Sequence, residues 1–95
     1  EWISFKKNPV IIDSSLGRNG GILNYNKKLF RVAQSFGFNT YGEKINIQEI
    51  KKLDPDNFLE KNYCKVEPKF SKNLIGIHHF HSNNNYTVHD FCKLK

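Results

Sequence analysis

The chain has 95 residues, a formal net charge of +6 and a pI near 9.4, with 38% hydrophobic and 14% aromatic residues. This is enough length for one small domain with a modest core. No apolar run approaches transmembrane length, these 95 residues carry no signal-peptide pattern, which weighs little if they are a segment, and Cys64 and Cys92 make neither a disulfide scaffold nor a CxxC metal knuckle.

The positive charge suits a polyanion such as nucleic acid or an anionic lipid surface. Most of it, however, is lysine in scattered pairs (Lys6-Lys7, Lys27-Lys28, Lys51-Lys52), and only Arg18 and Arg31 offer the planar fork that phosphate recognition prefers. Nucleic acid is therefore disfavoured as a partner, and the abundance of Asn, Ile and Lys reads as a compositional bias of the source. The two cysteines read as reduced, partly buried thiols of a cytoplasmic protein, with their pairing left open. Glu1 opens the sequence without an initiator methionine and Lys95 closes it after apparent strand, so a segment of a longer polypeptide is expected.

Trp2, Ile3 and Phe5 predict a short aromatic strand, ended by Asn8-Pro9 before Val10, Ile11 and Ile12. Asp13 heads a polar loop as an Asx-turn residue. Residues 18–42 organise the chain: Ile22 and Leu23 enter one strand, Leu29, Phe30 and Val32 fill the next, and Asn26-Lys27 makes a tight turn between them. Folding that hairpin brings Arg18 and Asn19 to one rim with Gln34 and Tyr41. Gly37, Asn39 and Gly42 predict an irregular loop that folds down on Phe36, Phe38 and Tyr41.

Residues 44–48 alternate as a strand, although Ile47, Ile50 and Leu53 also fit a helical spacing. Asp54-Pro55-Asp56-Asn57 is a turn, and residues 58–66 form another strand, stopped at Glu67-Pro68. Residues 74–80 predict an apolar strand carrying histidines, Ser82 to Asn85 a second hairpin turn, and residues 86–91 the return. Turn signals about every ten residues with short strands between them predict an all-β antiparallel meander, with no α/β crossover.

His78, His79 and His81 lie within four residues, with His89 across the hairpin. In a strand His79 and His81 point to one face and His78 to the other, so those three cannot share a metal without a bulge. A zinc site from His79, His81 and His89 is conceivable but wants a further ligand and a second shell, so no metal is expected. The plainest expectation is one buried, hydrogen-bonded imidazole and two exposed ones; a middle reading has one histidine reach the rim of Arg18 and Gln34, where it could bind or protonate a substrate oxygen. Asp54, Asp56, Glu60 and Glu67 read as solvated, leaving Asp13 and Asp90 as the acids able to approach a rim. There is no GxSxG elbow, P-loop or dinucleotide fingerprint.

Trp2 with Asn8-Pro9-Val10, Arg18-Asn19-Gly20-Gly21, residues 29–34 (LFRVAQ), Tyr41-Gly42 and Gly76-Ile77-His78-His79-Phe80, taken in order, resemble one known pattern. It is similar to the last part of the five-bladed β-propeller domain at the N-terminus of plant glucosamine inositolphosphorylceramide transferases. Similar bacterial proteins carry the propeller alone or joined to sugar-modifying formyltransferase-like domains, and the fold is akin to family-43 glycoside hydrolases.

The resemblance implies the end of one blade and a linker over 1–17, one four-stranded blade over 18–68, and the start of the next over 69–95. It implies that Arg18, Gln34, Tyr41 and His78 line the central face, with His79 as the nearby alternative, and that a saccharide or sugar nucleotide sits there without a cofactor. Relatives commonly carry an acid directly after the glutamine, where this chain has Ser35, and the hydrolase carboxylates fall in earlier blades. Any catalysis, transferase or glycosidase-like, would therefore draw its acids from outside these residues. The rival expectation is a non-catalytic basic module meeting a polyanion.

Overall fold

Period-two alternation, held between turns that reverse the chain in two residues, makes the centre of this protein a sheet. The computed structural model describes residues 3–13, 15–36, 43–69, 72–77, 79–83 and 85–93. Four long strands, β1 (Arg18–Tyr25), β2 (Lys28–Ser35), β3 (Lys44–Asp54) and β4 (Asn57–Val66), pair antiparallel in sequence order. Four short strands follow: β5 (Leu74–Gly76), β6 (Phe80–Ser82), β7 (Thr87–His89) and β8 (Cys92–Lys93). β6 pairs with β7 and β5 with β8, so the end of the chain is one hairpin broken midway along each arm.

Turn chemistry sets the register. Tyr25 pairs with Lys28, and Asn26 and Lys27 both take positive φ, 49° and 61°, the mirror-image turn whose twist suits two adjoining strands. At the other hairpin Asp54 pairs with Asn57, and the Asp54 carboxylate accepts the Asp56 N–H at 2.9 Å. At the start of β1 a bulge separates Asn19 from Gly21, whose φ of 129° only glycine adopts without strain.

Residues 44–54 are strand throughout, so the helical spacing of Ile47, Ile50 and Leu53 goes unused. The reason is non-local, since β2 and β4 satisfy β3's backbone on both sides. The N-terminal strand expected at Ile3 and Phe5 does not form: residues 3–13 hold no strand, and Ile3 is exposed. No strand among the described residues pairs with their backbone, and the segment is tied down instead by Lys7 Nζ to Asn57 Oδ1 and by the Lys6–Asp56 ion pair. The strand expected over 74–80 divides into β5 and β6, with irregular backbone at Ile77 and His79. Trp2, Tyr41 and the rest of the 37–42 loop lie outside the described residues, as does His78.

The sheet has two unlike faces. Leu23, Phe30, Val32, Ile45 and Ile47 form the buried core, joined from the terminal hairpin by Ile77 and Phe80. The opposite face is buried yet polar, carrying Arg31, Ser35, Asn46 and Gln48. A strap at Ser15 and Leu16 covers it, their carbonyls accepting hydrogen bonds from Asn46 Nδ2 at 2.8 Å and Arg31 Nη2 at 2.6 Å. Arg31 also grips Glu60 in a two-pronged ion pair, with Nε to Oε2 at 2.8 Å and Nη2 to Oε1 at 2.7 Å. Glu60 is therefore not the solvated acid that the alternation of β4 suggests, and Arg31 is a structural clasp rather than a phosphate fork.

Candidate functional site

Hairpin pairing brings two of the expected rim residues together. Arg18 of β1 is the register partner of Gln34 of β2, so both side chains leave the sheet on the same face. Arg18 is exposed, and its guanidinium lies 5.4 Å from the centre of the Phe36 ring, within cation–π range. Gln34 is buried at 5% exposure beneath the β1 bulge, where a Cβ added to Gly20 would lie 3.4 Å from its Cγ and Nε2. Its Oε1 is buried with no hydrogen-bond partner among the described residues. A buried carboxamide oxygen left unmatched costs free energy, and such an atom is an acceptor available to a donor from outside the sheet.

The third expected member lies on another element. His79 falls in the break of the terminal hairpin, exposed, its N–H donating to Asp90 Oδ1 at 2.9 Å while Asp90 N–H reaches the His79 carbonyl at 3.3 Å. Asp90 thus bridges the break. Asp13 is also engaged locally, its Oδ1 accepting the Ser15 hydroxyl at 2.7 Å and N–H at 2.8 Å, bonds that hold its carboxyl below the ordinary 3.8. Of the two acids that the sequence leaves near a rim, Asp13 serves a turn and Asp90 the hairpin break. Tyr41 and His78 lie outside the described residues.

The three-histidine zinc arrangement meets an obstacle of parity. His81 pairs with Val88 while Phe80 pairs with His89, so His81 and His89 occupy opposite faces of the β6–β7 ladder. Among the described residues no group of three His, Cys, Asp or Glu side chains gathers as a metal site. Cys64 and Cys92 are both free thiols, Cys64 half-buried with burial pushing its pKa up and Cys92 exposed.

A second feature has no forerunner in the sequence analysis. Between the apolar face of the sheet and β6 opens a cleft of about 250 Å³, walled by Leu23, Phe30, Ile47 and Phe80 and flanked by Tyr25 and Tyr63. Tyr63 meets Phe30 edge to face, their centroids 4.9 Å apart at 64°. Plain alternation on β4 would put Tyr63 opposite Cys64 and Val66. Instead Ile47 pairs with Cys64 and Gln48 with Asn62, which leaves Tyr63 as the extra residue of a bulge and re-aims its ring toward the core face. Arg18, Gln34 and His79 are not among the residues lining this cleft.

No family model, curated protein or solved structure matches the chain. The all-β antiparallel meander stands on the coordinates alone.

Proposed function

We propose that this chain is one blade and the start of the next from a β-propeller, contributing to a saccharide or sugar-nucleotide site in a glycan-modifying protein. In support, a propeller blade is a four-stranded antiparallel meander whose first strand lies innermost, and neighbouring blades meet through their apolar faces. The order β1-β2-β3-β4 has that form, and β6, the inner arm of the following hairpin, lies against β1. The remaining strands and blades would come from further chain.

The single observation that carries the ligand assignment is that exposed Arg18 is the register partner of Gln34, whose buried Oε1 has no hydrogen-bond partner among the described residues. Hydroxyl-rich ligands supply both the acceptors that a guanidinium seeks and the donors that a carboxamide oxygen lacks. Arg18 would take an anionic or hydroxyl-bearing group and Gln34 a sugar hydroxyl.

The test is a titration of the chain with uridine diphosphate glucose and with a neutral oligosaccharide, at low and moderate salt. Binding that falls about tenfold in Arg18→Ala and hardly changes with salt supports the assignment. Binding that ignores Arg18 and collapses as salt rises would instead establish a lysine-dotted surface for a polyanion.

A further inference from the structure

The geometry points to a second binding site: the cleft between the sheet and β6 takes a single neutral sugar ring, stacked on Tyr63 and Tyr25. This rests on the saccharide reading above and sharpens it, because it assigns the uncharged ring to a place distinct from Arg18 and Gln34.

None of the nine described residues lining the cleft is charged, which favours a neutral ligand over one bearing a phosphate. The floor is apolar, with Leu23, Phe30 and Ile47 buried. The flanking rings are mostly exposed, Tyr25 at 65% and Tyr63 at 60%, and neither phenol hydroxyl is engaged by another described residue. Large aromatic faces left open over an apolar floor, with free hydroxyls at their tips, suit a ligand that has one apolar face and a polar edge.

The mouth supplies matching groups, since Asn24, Ser82 and Asn83 complete the lining. Asn83 Oδ1 is committed to the N–H groups of Asn85 and Tyr86, both at 2.8 Å, which fixes the carboxamide's orientation. Its NH₂, with no partner among the described residues, is left to donate to a ring hydroxyl. A pyranose has this amphipathic form, with axial C–H bonds on one face and hydroxyls around the edge. The volume of about 250 Å³ lies just below the usual range for ligand pockets, roughly 300–1,000 Å³, and so suits one ring rather than a chain of them.

The experiment titrates the full chain, carrying ¹³C-labelled tyrosine, with methyl glucoside and separately with uridine diphosphate glucose. The Tyr25 and Tyr63 ring signals are assigned by Tyr25→Phe and Tyr63→Phe. Methyl glucoside is expected to shift both signals saturably. Binding should weaken about tenfold in Tyr63→Leu, which keeps apolar volume but loses the ring, and should survive in Tyr63→Phe. Tyr25→Leu, altering an exposed position beside the hairpin turn, is expected to weaken binding in the same direction and serves if Tyr63→Leu does not fold.

Uridine diphosphate glucose binding that depends on Arg18 while both tyrosine signals stay still under methyl glucoside would overturn this site and leave the Arg18–Gln34 assignment standing. Failure of every sugar to bind would remove both. Tyrosine signals that move with protein concentration, and not with sugar, would make the cleft a contact between copies of the chain and end the proposal.

Discussion

The four-stranded meander and the terminal hairpin are made of similar material, short apolar runs between polar turns, yet they are held in different ways. The meander is covered twice, by Ile77 and Phe80 on its apolar face and by the strap at Ser15 and Leu16 on its polar one. The terminal hairpin is anchored through those same two side chains, and its return arm is open to water, Thr87, Val88, His89 and Cys92 all being exposed. Strand content therefore says little about stability. Coverage decides it, because an apolar side chain stabilises only when it leaves water.

The sharpest way to break the contrast is at the polar face. Glu60→Ala would leave the Arg31 guanidinium, whose side chain is 9% exposed, with only the Leu16 carbonyl as its described partner. Removing one half of a buried ion pair strands a desolvated charge, so a loss of about 3–5 kcal/mol in denaturant unfolding is expected. A loss below about 1 kcal/mol would mean that the strap admits water and that this face is covered in name only.

Paired truncations measure the comparison directly. Ile45→Ala removes a side chain at 0% exposure from the centre of the meander and should cost about 2–5 kcal/mol. Val88→Ala, on the return arm at 64% exposure, should change stability by about 0.5 kcal/mol or less. Equal costs would show that something packs against β7 in solution and that the hairpin is a covered element.

The smallest effect is in acid. Asp54 is held below the ordinary 3.8, first by the Asp56 N–H, and Glu49 below 4.5, first by Lys51. A depressed folded pKa means that the unfolded chain binds more protons below the ordinary value. The contribution is thus present above that value and declines as pH falls through the lower folded one. Thermal melts at about pH 6 and about pH 3 should show Asp54→Asn losing less on acidification than the parent chain, by a small margin, since the group is solvated. An equal acid loss in both would show that the turn does not depend on the ionised carboxylate.

Much of the architecture was legible in the residues themselves. Local chemistry fixes a two-residue turn at Asn26-Lys27, another at Pro55-Asp56, an Asx turn at Asp13, and alternation enough to name the apolar face of β2 and β3. These need only backbone angles and neighbouring side chains, which a sequence carries. The pairing of Arg18 with Gln34 does not follow from that turn alone, whose register continued without interruption would set Arg18 opposite Ser35; the bulge between Asn19 and Gly21 shifts it by one residue.

What the chain alone did not decide is everything that depends on a distant partner. Residues 44–54 became strand rather than helix because β2 and β4 lie on either side, and residues 3–13 stayed irregular, with no strand among the described residues paired to them. Glu60 was drawn inward by Arg31, 29 positions away. The bulge at Tyr63 turned its ring onto Phe30 and opened the tyrosine-flanked cleft, against the parity of its own strand. Alternation predicts which way a side chain leaves a regular ladder, whereas bulges and buried ion pairs arise from how strands fit one another, and that fit exists only in the folded chain.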